Sequence, residues 1–73
     1  MTKDEISTMI KIEQLRLFRD AMETTYRDVS ELFDNCNVWS FIDDMYEFMH
    51  IQGDEVSFNE IGEYLKRQGI SVA

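Results

Sequence analysis

Fifteen acids against seven Lys or Arg give this 73-residue chain a net charge of -8, with 44% hydrophobic residues, 12% aromatics, one Cys, one His and no Pro. That apolar content is too high for a disordered acidic tail, so a single folded domain over 1–73 is expected. No apolar run exceeds two residues, which leaves neither a membrane span nor a signal-peptide core, and the charge disfavours direct contact with nucleic acid or anionic lipid.

The first element opens at Thr2, where Thr2 and Glu5 have the spacing of a capping box. From there to Phe33 neither Gly nor Pro intervenes. Met9, Ile12, Leu15, Phe18, Met22, Tyr26, Val29 and Phe33 recur every three or four residues, the mark of an amphipathic helix. About 30 helical residues would run roughly 45 Å, against a diameter of roughly 30 Å for a compact chain of this length. Thr24-Thr25 is the natural break, with Thr25 and Asp28 able to cap a second segment. Because the apolar phase continues through both threonines, one long helix, bent or frayed, is the preferred reading.

Asp34-Asn35-Cys36-Asn37 reads as a turn of short polar side chains, with Asn37 capping a helix that carries Val38, Phe41, Ile42, Met45, Phe48 and Met49. Gly53 marks its end. Asp54 to Phe58 reads as a short extended stretch, and Ser57 with Glu60 as a second capping box opening a helix through Gln68. Gly69 stands where a left-handed C-cap belongs, and the tail from Ile70 should dock. The expected fold class is all-α: a small three- to four-helix domain with a long N-terminal helix and room for one short β-bridge near Val56 and Ile70.

Charge is unevenly spread along the chain. Residues 1–27 hold five acids and five bases, whereas residues 28–65 hold ten acids and no Lys or Arg. Asp43, Asp44 and Glu47 share one side of their helix, where like charges at such spacing cost a few tenths of a kcal/mol per pair. Such a face suits docking to a basic protein surface, because oriented carboxylates steer encounter. Candidate partner-binding residues are Trp39, Asp43, Asp44, Tyr46, Glu47, Glu31 and Asp34, the two aromatics supplying anchors within a polar rim. The function expected is a non-enzymatic interaction module that inhibits or regulates a basic, nucleic-acid-handling partner, after the manner of small acidic phage antagonists and nucleic-acid mimics. The alternative is a structural homo-oligomer, a homodimer along the first helix through Leu15, Met22 and Val29.

The stretch Gly53 to Lys66, GDEVSFNEIGEYLK, resembles the second half of an EF-hand loop with its exiting helix, with Glu60 at the bidentate position. The resemblance would imply calcium, but Met49, Ile51 and Gly53 stand where oxygen ligands are needed. Glu55 to Ser71 resembles the middle of a winged helix-turn-helix domain. That would imply DNA reading, but no recognition helix follows before Ala73 and only Lys66 and Arg67 could meet phosphate. No Gly-rich phosphate loop or nucleophile motif accompanies His50, which suits a helix C-terminus. Cys36 has no partner at ligand spacing and reads as a semi-exposed thiol in a reducing, cytoplasmic setting. No cofactor and no metal are expected.

Overall fold

In the computed structural model, which describes residues 1–72, Thr2 starts α1 (Lys3–Met22) by the reciprocal capping box that its spacing calls for. The Glu5 N–H donates to Thr2 Oγ1 (3.2 Å) and the Thr2 N–H donates to Glu5 Oε1 (3.3 Å). The expected long helix is not formed. Glu23 turns left-handed at φ 52°, and Thr25 caps α2 (Tyr26–Asn35), its Oγ1 accepting from the Asp28 N–H at 3.2 Å. A non-glycine residue in that conformation costs about 1–2 kcal/mol. Folding α2 back leaves Val29 and Phe33 fully buried, and each side chain so removed from water contributes roughly 1.5–3 kcal/mol. The break therefore wins over the continuous apolar phase. Twenty residues of α1 at 1.5 Å each come to about 30 Å, matching the long dimension of 31 Å.

Cys36 and Asn37 link α2 to α3 (Val38–Gln52). Asn37 holds the N-cap position, but through backbone shape at φ 58° and not through its side chain, which makes no capping hydrogen bond. Gly53, at φ 91° and ψ 177°, closes α3 and opens α4 (Asp54–Arg67) at once. That combination of angles is essentially confined to glycine.

The expected extended stretch over 54–58 is helical instead, and Val56 and Ile70 form no bridge. Ser57 is not a cap but a buried residue inside α4. Its hydroxyl donates back to the Gly53 carbonyl at 2.7 Å and to the Met49 carbonyl at 3.3 Å, tying α4 to the end of α3. Gly69 is left-handed as expected, and the Ile70 N–H reaches the Leu65 carbonyl at 3.0 Å, so that Ile70 and Val72 pack on the core.

Helix α1 packs against each of the other three helices, and α3 against both α2 and α4; α2 and α4 occupy opposite flanks. Phe18 of α1 lies at the centre, fully buried, edge-on to Phe33 of α2 (ring centroids 5.3 Å) and close to Phe58 of α4 (4.4 Å). Phe41 of α3 stacks on Tyr64 of α4 at 4.2 Å. Edge-on and offset ring pairs of this kind add about 0.5–1.5 kcal/mol each beyond area burial. Gln14 is the polar exception: fully buried, it donates to the Asp54 carbonyl at 3.0 Å, while its Oε1 has no hydrogen-bond partner among the described residues.

Candidate interaction surface

Five of the chain's seven Lys and Arg residues lie on the first two helices. On α1, Arg16 pairs with Glu13 and with Asp20 (3.5 Å), and Arg19 with Asp20 (2.8 Å). The Arg19 guanidinium also lies 4.4 Å from the centroid of the Tyr26 ring, strapping the end of α1 to the start of α2. Arg27 and Glu31 approach within 3.7 Å along α2. Hydrogen bonding to Arg16 holds the Glu13 carboxyl below the usual range.

Asp43 belongs to this paired set and not to an open docking face. Its Oδ1 accepts from the buried Ser7 hydroxyl at 2.5 Å and pairs with Lys11 Nζ at 2.8 Å, joining α3 to α1. The Lys11 hydrogen bond first, and the Ser7 hydrogen bond second, lower its pKa below the usual aspartate value. Asp34 accepts from Trp39 Nε1 at 2.5 Å, and the Trp39 ring stands edge-on to Phe33 at 5.1 Å, so this indole packs at the rim of the core. Tyr46 faces α1, with Lys3 Nζ 5.4 Å from its ring centroid; burial, with the neighbouring Glu47 carboxylate second, raises its phenol.

Asp44 and Glu47 differ from these. Both are exposed on the outward side of α3, one turn apart. Glu60 and Glu63 stand one turn apart on α4, which packs alongside. Among the described residues none of these four carboxylates enters an ion pair; Lys66 and Arg67, in the last turn of α4, are the only Lys or Arg that α3 and α4 carry, beside His50 at the end of α3. Asp43, Glu31, Asp34, Trp39 and Tyr46 thus have contacts within the chain, and Asp44 and Glu47 remain outward. Glu60 and Glu63 are not among the partner-binding candidates read from the sequence, although they lie in the same stretch free of Lys and Arg.

The self-association candidates separate too. Val29 is fully buried in the chain's own core, because the break at Glu23 folds α2 inward, and it offers nothing to a second copy. Leu15 and Met22 are half-buried against that core. The large apolar side chains left exposed on α1 are Met9 and Ile12, at 57% and 62%. Cys36 is buried rather than semi-exposed. No three His, Cys, Asp or Glu side chains among the described residues are placed to hold a metal ion, and no helix is long and apolar enough to cross a membrane.

The structure is a small four-helix domain in which Asp44, Glu47, Glu60 and Glu63 enter no ion pair among the described residues. Residues 11–68 match the model of a family described as "Protein of unknown function (DUF3791)"; this is most of the chain, which therefore belongs to that family. The matched span runs from within α1 to just past the end of α4, taking in Phe18, Phe33, Gly53 and Phe58. No curated protein and no solved structure matches the chain.

Proposed function

We propose that the chain is a non-enzymatic interaction module that docks through the outward sides of α3 and α4 onto a basic surface of another protein and so regulates it. The supporting observation is the set Asp44, Glu47, Glu60 and Glu63, none of which enters an ion pair among the described residues, although Lys66 and Arg67 stand one turn from Glu63. Exposed carboxylates on rigid helices raise the rate of encounter with a cationic surface more than they raise final affinity. The largest basic surfaces belong to nucleic-acid-handling proteins, and carboxylates on a helix can compete there for sites shaped for phosphate. A reducing, cytoplasmic setting suits the single buried thiol.

The test is affinity recovery from a lysate of the source cells with the native chain and with a variant carrying Asp44→Asn, Glu47→Gln, Glu60→Gln and Glu63→Gln. A basic protein retained by the native chain at low salt, released at high salt and missed by the variant is expected. Retention that ignores both salt and the four substitutions would overturn the reading.

A further inference from the structure

The α1 side facing α4 carries Ile6, Met9, Glu13, Leu17 and Ala21, spaced three or four residues apart. They line two open grooves of about 320 and 520 Å³ that share Glu13 and Asp54. The first groove is bounded at its far side by Met49 and His50 of α3, the second by Glu55 and Phe58 of α4. Together they form one trough. From Ile6 to Ala21 is roughly 22 Å at 1.5 Å per residue, about four helical turns.

Apolar residues at the two ends and carboxylates in the middle restrict what can lie there. Glu13, Asp54 and Glu55 line the trough against His50 and one Arg, Arg16, which is already held by Glu13 and Asp20. Asp54 and Glu55 enter no ion pair among the described residues. The exposed Met9 offers a flexible, polarisable wall that adapts to different apolar shapes. Helices bind such grooves by apolar side chains at i, i+3 or i+4, and i+7. A second copy of this chain, itself at -8, brings charge of the wrong sign, whereas Lys or Arg flanking an apolar stripe would complement Glu13, Asp54 and Glu55.

We infer that the trough between α1 and α4 receives an amphipathic helix of about four turns from a partner protein, its apolar stripe on Met9, Leu17 and Phe58 and its basic flank on Asp54 and Glu55. This site is separate from the outward side of α3 and α4, and each stands or falls without the other.

The probe is an 18-residue labelled peptide with leucines at helical spacing and lysines elsewhere, titrated into the full chain by fluorescence anisotropy and mapped by amide shifts; a control peptide replaces every lysine with glutamate. Binding of the lysine peptide alone, with shifts centred on Met9, Leu17 and Phe58, is expected. Met9→Ser with Ala21→Lys, both at exposed positions that leave the core intact, should weaken it at least tenfold, while Asp44→Asn with Glu47→Gln should change it less than twofold. Shifts confined to the outward side of α3 and α4, equal binding of both peptides, or no binding of either would overturn the inference. So would self-association of the chain through the same residues.

Discussion

The two halves of the molecule handle charge in opposite ways. Helices α1 and α2 carry eight acids and five bases over residues 3–35, and their bases are engaged in ion pairs or lie over rings. Helices α3 and α4 carry seven acids against Lys66 and Arg67, and among the described residues the one acid they pair is Asp43, on a lysine lent by α1. In the first half charge serves local order; in the second it is displayed. Adjacent residues make the contrast sharpest: Asp43 ties two helices together, and Asp44, one position round the same helix, enters no ion pair among the described residues. Neither the residue type nor the neighbouring sequence separates them. Their helical phase relative to α1 does.

Breaking the shared core should have the largest effect. Phe18→Ala removes the ring that both α2 and α4 pack on, at a cost of about 3–5 kcal/mol, comparable to the whole net stability of a core this small. Circular dichroism should show a chain largely unfolded at 37 °C. Next comes Gly53→Ala. A methyl group there meets nothing within 4 Å, but φ of +91° strains any side chain, so a loss of roughly 1–3 kcal/mol is expected from thermal melts.

Asp43→Ala should cost about 1–2 kcal/mol, since it removes a half-exposed ion pair and strands the buried Ser7 hydroxyl. Asp44→Ala should stay within about 0.5 kcal/mol of the native chain. Equal effects at the two positions would erase the contrast drawn between them. The same pair predicts a pH dependence. The folded-state pKa of Asp43 is depressed below its ordinary value of 3.8. Its contribution is therefore complete above that pH and lost as pH falls through the lower folded value. The stability advantage of the native chain over Asp43→Asn should be constant near neutrality and shrink below pH 3.8.

Much of the fold could be read locally. The Thr2–Glu5 box, the Thr25 cap and the positive φ at Gly53 and Gly69 depend on residues a few positions apart. The continuity of α1 could not be read that way. An unbroken apolar phase says that Val29 and Phe33 face the same side as Phe18 along a helix, but whether the helix bends to bury them is decided by compactness. Ser57 and Glu60 have the spacing of a cap, yet Gly53 had already started the helix, and the serine hydroxyl turned back to the carbonyls behind it. At the surface, the surplus of acid was visible but its allocation was not. Asp43 meets Ser7 across 36 positions of sequence, a contact that no local pattern encodes.

Melting temperature against salt tests the unpaired face most directly, comparing the native chain with Asp44→Asn, Glu47→Gln, Glu60→Gln and Glu63→Gln combined. Carboxylates that only repel one another predict a variant that melts several degrees higher at 10 mM salt, with the gap closing by about 0.5 M as screening sets in. A variant that melts lower than the native chain at both salt concentrations would mean that these four side chains hold the fold together, and would contradict the account.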